Sequence, residues 1–190
     1  MSALSTLSHP LQQRLLAELK PGESLVWVGQ PNPGRYMKSA FAIWLFFVPW
    51  TAFSLFWIAS ASGFEWPRFS DGWSFFPLFG VPFLLIGLAG LGSPFWLRRK
   101  ARWMIYGITT RRAIAIEGIK AIKVKSYQAS SIVDIERTEH PDGSGDLMLR
   151  KESYQDSDGD RQTRSQGFFA IDEVRRVEQL IETLIQGNRA

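Results

Sequence analysis

The chain has no cysteine and only two histidines, His9 and His140. Without cysteine there are no disulfides, thiolate metal sites or cysteine nucleophiles. The histidines lie in a polar N-terminal stretch and before a proline turn. Neither has a second ligand at a metal-binding spacing, so both are expected to be loop residues. Charge is missing on a larger scale. Residues 39–64 contain no Asp, Glu, Lys or Arg, and neither do residues 72–97. Each run is longer than the roughly 20 apolar residues that cross a hydrocarbon core of about 30 Å. The first 30 residues also lack the basic start and short apolar core of a secretory signal, so the first run is expected to stay as an anchor.

The mean hydropathy of -0.07 hides these runs because the apolar residues are concentrated mid-chain. Only Glu65, Arg68 and Asp71 separate them, which predicts a two-helix transmembrane hairpin over residues 39–97, with spans at about 39–60 and 75–97. Pro49 should kink the first span. Trp66, Trp73 and Trp96 stand where interfacial aromatics are expected. No acid or base lies within either span, which argues against proton relays, ion-coupled transport and intramembrane proteolysis. Thr51 and Ser54 are expected to bond to helix backbone or a neighbouring helix, and Ala89 and Ser93, four apart, to let helices approach.

Charge also sets the expected orientation. Arg35, Lys38, Arg98, Arg99, Lys100 and Arg102 flank the hairpin, against Arg68 alone in its loop. Both termini should therefore be cytoplasmic, with residues 62–71 outside. The net charge is +4, yet it is unevenly spread. Nine Lys/Arg face Glu117 alone over residues 98–125, whereas from Ser126 onward thirteen acids exceed eight bases. No nucleic-acid motif accompanies the basic block, and no nucleic-acid partner is expected.

Outside the hairpin the pattern is that of short strands closed by a helix. Residues 10–20 read as an amphipathic helix with Leu11, Leu15, Leu16 and Leu19 on one stripe, in an N-terminal segment over 1–22. Residues 24–29 read as a strand, and Pro31-Asn32-Pro33-Gly34 as a breaker. Strands follow at 102–106 and 113–117 around a Gly107–Thr110 turn, then near 119–127, 132–138, 146–151 and 167–171. Asp172 is the expected N-cap of a final helix whose Val174, Val177, Leu180, Ile181 and Leu184 share one face. The order predicts α+β: a curled antiparallel sheet with a helix over its open end.

Glu23-x-Leu25-x-Trp27, a hairpin of spans, Tyr106-x-Ile108-Thr109-x-Arg111-Arg112 and a closing Phe168-Phe169-x-Ile171-Asp172 before a helix resemble bacterial pleckstrin-homology-like (PH-like) membrane proteins. The resemblance covers the chain from about Glu23 and residues 102–186. It implies a cytoplasmic, partly open seven-stranded antiparallel β-barrel capped by a C-terminal helix. Residues 23–34 would supply its first strand, 102–186 the remainder, and the hairpin would be an insertion between them. The family implies no catalytic activity.

Arg98, Arg99, Lys100 and Arg102 are expected to set topology and to meet anionic headgroups. Arg111 and Arg112 either pair with a strand-end carboxylate and hold the turn or contact lipid phosphate. Asp156, Asp158 and Asp160 have the spacing of a calcium loop, but Arg161 and Gly167 stand where glycine and glutamate are required. A solvated hairpin tip is the better reading. No catalytic, cofactor or metal residue is expected. The function expected is a non-enzymatic, multi-pass interaction module of a bacterial inner membrane that binds a protein partner or, as the weaker option, anionic lipid, and self-associates as a further option. An oligomeric channel or transporter subunit with a cytoplasmic regulatory domain is the alternative.

Overall fold

The computed structural model describes Leu4 and residues 7–64, 76–119, 121–132, 134–155, 159 and 161–188. The side chains of 153, 154, 162 and 164 lie outside this description, as do Glu65, Trp66, Arg68, Asp71, Trp73 and the three aspartates at 156, 158 and 160. Two compact units are present: Met1–Tyr36 with Arg99–Ala190, and Met37–Arg98.

The first unit is α+β with two antiparallel sheets. The four-stranded sheet has the order β1 (Leu25–Gly29), β2 (Ile105–Thr109), β3 (Arg112–Glu117) and β4 (Lys123–Gln128). The three-stranded sheet is β5 (Glu136–Glu139), β6 (Gly145–Gln155) and β7 (Arg161–Ile171). The strands do not close into one barrel. β4 leaves its sheet through a single turn of 3-10 helix at Ala129–Ser131. Between β1 and β7 the described links are a backbone bond from Asn32 N to Ala170 O (2.7 Å) and the stacking of Trp27 on Phe168.

β2 and β3 are buried on both faces, so they lack the half-polar alternation of a one-sided sheet. One face, with Tyr106, Ile108, Ala113 and Ala115, packs against Leu147, Leu149 and Phe168 of the second sheet. α6 (Val174–Gly187) completes this core with Val174, Val177, Ile181 and Leu184. The opposite face, with Ile105, Ile114 and Ile116, is covered by Leu11 and Leu15 of α1 (His9–Ala17). Of the expected leucine stripe, Leu16 is exposed, so the covered face of α1 is narrower than the sequence suggests.

Several boundaries differ from expectation. Gly107 is in the middle of β2, paired with Val28 and Ile114, and the turn is at Thr110–Arg111. A Cβ on Gly107 would lie 3.0 Å from Leu15 Cδ1, so the missing side chain lets α1 approach the sheet. His9 opens α1 rather than lying in a loop. Asp172 does not cap α6. Its carboxylate accepts from Arg35 Nη1 at 2.5 Å, and Glu173, in the left-handed region at φ 51, stands at the cap without a side-chain bond. The proline-rich breaker leads directly into a short helix, α2 (Pro33–Lys38), whose first amides are held by Asn32 Oδ1.

The second unit contains α3 (Phe41–Ala61), a 3-10 turn at Phe76–Gly80 and α4 (Val81–Leu91), and α5 (Ser93–Ala101) leads out of it. Among the described residues, α3 is the one helix that is alone long and apolar enough to cross a membrane. It continues through Pro49. A second uninterrupted span over 75–97 is not observed: the segments Phe76–Leu91 and Ser93–Ala101 meet at a bend of 40°. Pro94, lacking an N–H, cannot continue the hydrogen-bond ladder across the Gly92 break.

Glycines let α4 approach α3 closely. A Cβ at Gly87 would stand 2.4 Å from Thr51 Oγ1, and one at Gly90 only 2.1 Å from the Phe47 ring. Ala89 faces outward, so these glycines, and not the Ala89/Ser93 pair, form the close contact. Thr51 and Ser54 are buried and donate to Phe47 O (2.7 Å) and Trp50 O (2.9 Å), four residues back. Large apolar side chains, including Phe46, Phe53, Phe56, Phe79 and Leu85, point outward.

Candidate functional site

The six basic residues singled out from the sequence fall into two groups. Arg98, Arg99 and Lys100 occupy the last turns of α5, and Arg102 follows it. Arg98, Arg99 and Arg102 are exposed. Lys100 Nζ lies 3.4 Å from Glu117, which also receives Lys125 at 3.1 Å. Arg111 and Arg112 lie at the other end of β2, in the β2–β3 turn. At about 3.3 Å per residue, β2 separates the two groups by roughly 16 Å. The structure therefore unites 98–102 and sets 111–112 apart from them.

Arg112 is absorbed by the fold. Its Nε and Nη2 donate to Glu23 Oε1 and Oε2 at 2.9 and 3.1 Å, and Nη2 also reaches Glu18 O at 2.6 Å. Nη1 donates to Ser126 Oγ at 3.1 Å. Glu23, with its side chain fully buried, also accepts from Thr109 Oγ1 (2.7 Å) and the Lys20 amide (2.9 Å). Burial alone would raise the Glu23 pKa, but the bonds from Arg112, Lys20 and Thr109, together with the Arg112 charge, outweigh it and hold the value at about 2. The carboxylate is ionised and satisfied, which suits structure rather than proton transfer.

Arg111 has a different environment. Its side chain is exposed and has no partner among the described residues. It stands between two adjoining cavities of about 410 and 290 Å³, lining both together with Asn188. The larger one is walled by Val26, Ile108, Leu180 and Leu184, and the smaller by polar groups that include Lys20, Gln128 and Ser130. Val26 reaches the groove because β1 shifts register between Leu25 and Trp27, a bulge that turns one side chain out of the ladder. Asn188 Nδ2 donates to Leu184 O (2.8 Å) and Thr110 O (3.4 Å), tying the end of α6 to the β2–β3 turn.

Sequence reasoning missed this groove. It placed Leu180 in the core, whereas Leu180 is partly buried and lines the larger cavity. Arg111 was legible only as one of two adjacent arginines. No spacing separated it from Arg112, because Thr109 and Arg112 flank a two-residue turn and converge on Glu23 while Arg111 stands in the turn itself. Among the described residues no cluster of His, Cys, Asp or Glu could hold a metal ion. No family model, curated protein or solved structure matches this chain.

Proposed function

We propose that this protein is a membrane-anchored, non-enzymatic PH-like interaction module that presents the groove beside Arg111 to a protein partner in the bacterial cytoplasm. The observation that carries the membrane part is inverted burial. In α3 and α4 the polar Thr51 and Ser54 are inside, the large aliphatic and aromatic side chains are outside, and only 11% of the apolar α3 window is buried. A soluble core helix has the opposite distribution. The hairpin reading takes Phe76–Leu91 and Ser93–Ala101 together as one bent second crossing, which would put Arg98, Arg99 and Arg102 at its cytoplasmic edge.

The PH-like part is supported by the residues of the resemblance. Trp27, Phe168 and Tyr106 form one aromatic stack, with centroids 5.9 and 4.6 Å apart, and Glu23, Thr109 and Arg112 form one ion cluster. The seven described strands, in sheets of four and three with a closing helix, support the partly open barrel that the resemblance implies. The insertion is also reasonable in this fold, because Gly29 at the end of β1 pairs with Tyr106 near the start of β2. A protein partner rather than bulk lipid is favoured for the groove because a domain already tied to apolar spans gains little localisation from headgroup affinity.

The test is photo-crosslinking in cells through an unnatural residue at Thr183, on the groove side of α6, with Lys151 as a control position. A reproducible protein adduct from Thr183 but not Lys151 supports the reading. An adduct-free Thr183, combined with a symmetric oligomer of defined mass in mild detergent, would favour the channel-subunit alternative.

A further inference from the structure

We infer that the groove takes an internal segment of a protein partner in which a carboxylate side chain lies beside a large apolar one, the carboxylate on Arg111 and the apolar group in the larger cavity. This rests on the interaction-module reading and specifies the chemistry of its partner.

Charge complementarity is the first ground. Arg111 is a permanently charged donor with no counter-ion among the described residues. The nearest buried carboxylate cannot neutralise it. Glu23 already takes four hydrogen bonds, two from Arg112, one from Thr109 and one from the Lys20 amide. Lys20 adds a second exposed cation at the same rim. Among the described residues an incoming anion therefore meets Arg111 and Lys20 beside a Glu23–Arg112 pair whose charges cancel each other, and a guanidinium suits the two oxygens of a carboxylate.

The shape of the groove supplies the second ground. The cavity of about 410 Å³ beside Arg111 has walls of Val26, Ile108, Leu180 and Leu184, with Val26 51% exposed. Ile108 and Leu184 are already buried, so an entering aliphatic or aromatic side chain would take chiefly Val26 and the open edge of Leu180 out of water. The Asn188 link between α6 and the turn braces the groove before binding, which lowers the ordering cost. The two cavities share Arg111 and Asn188 in their linings, so a chain that fills the apolar one can extend past Arg111 into the polar one, which suits an internal segment.

The experiment selects peptides from a random dodecapeptide phage library on the full chain in phosphatidylcholine nanodiscs, followed by affinity measurement with the synthesised winner. Enriched sequences should carry Asp or Glu within two positions of Leu, Ile, Phe or Met. Arg111→Ala should weaken binding by about tenfold, the scale of one lost charge-assisted contact, while leaving the melting temperature unchanged. Arg111→Glu should abolish binding of the acidic winner and, on reselection, enrich Lys or Arg in its place. Thr183→Arg, an exposed change on the groove wall, should block binding without touching Arg111. Enrichment of sequences without acids, no enrichment at all, or Arg111→Ala binding as well as the parent would each overturn the inference. So would displacement of the peptide by phosphatidylglycerol in the disc that is lost in Arg111→Ala, since that assigns Arg111 to lipid. If the Thr183 crosslink in cells persists while the peptide results fail, the partner chemistry is wrong and the interaction-module reading stands.

Discussion

Arg112 grips the Glu23 carboxylate through both of its oxygens, at 2.9 and 3.1 Å, across 89 residues of sequence that include the whole second unit. The pair fastens the connection before β1 to the β2–β3 turn, so it joins the piece of the first unit that precedes the insertion to the piece that follows it. Arg112→Ala leaves the buried carboxylate unpaired and should destabilise the unit by roughly 3–5 kcal/mol. Arg111→Ala, one residue away on an exposed turn, should change stability by no more than about 0.5 kcal/mol. Chemical denaturation of both variants, followed by tryptophan fluorescence, gives the comparison. Equal effects would refute the division of roles between the two arginines.

The same pair sets an acid limit. Glu23 is lowered from 4.5 to about 2 in the folded state. A depressed carboxyl contributes stability that is complete above the unfolded value and is lost as pH falls toward the folded one. Between pH 4.5 and 2 the loss should be on the order of 3 kcal/mol, with the Glu23 side chain fully buried. Glu23→Gln should be less stable at neutral pH and should show a flatter decline through that window. A parallel decline in both proteins would show that other groups govern the acid transition.

α6 should be held by its inward face. Ile181 is fully buried in the core, and Ile181→Ala should cost roughly 2–5 kcal/mol. Leu180→Ala, at the groove wall, should cost less, because Leu180 keeps contact with water. The order of the two unfolding midpoints is the measurement.

The close approach of α4 to α3 depends on glycine. Gly90→Leu would place a Cβ only 2.1 Å from the Phe47 ring, so the helices must separate. Leu88→Ile, on the outward face of α4, should be tolerated. Thermal unfolding in detergent should drop for Gly90→Leu and not for Leu88→Ile. Equal thermal stability would contradict the packing.

Orientation can be read directly. A reporter fused after Ala190 should be active only as a cytoplasmic fusion, and a tag near Arg68 should be labelled from outside the cell. The absence of cysteine makes single-cysteine labelling at such positions unambiguous. External labelling of the C-terminal fusion would reverse the arrangement.

Much of this was determined by sequence alone, because it depends on local chemistry. The two uncharged runs follow from composition. The strand at 25–29 and the helix at 174–187 follow from periodicity that one element can satisfy by itself, whereas the strand expected near 119–127 starts only at Lys123 and leaves Ile122 and Val124 exposed. Other features depended on neighbours distant in the chain. Gly107 reads as a turn residue until α1 is seen lying over it, and Asp172 as a cap until Arg35 takes its carboxylate. The stretch 75–97 reads as one span by composition, while the bend near Pro94 divides it. Arg111 and Arg112 are indistinguishable in the sequence. Tertiary structure separates them because the β2–β3 turn directs one guanidinium toward a buried carboxylate and leaves the other between two cavities. Burial and pairing belong to the space around a residue, and for these two arginines that space is built by Glu23 before the insertion and by α6 at the far end of the chain.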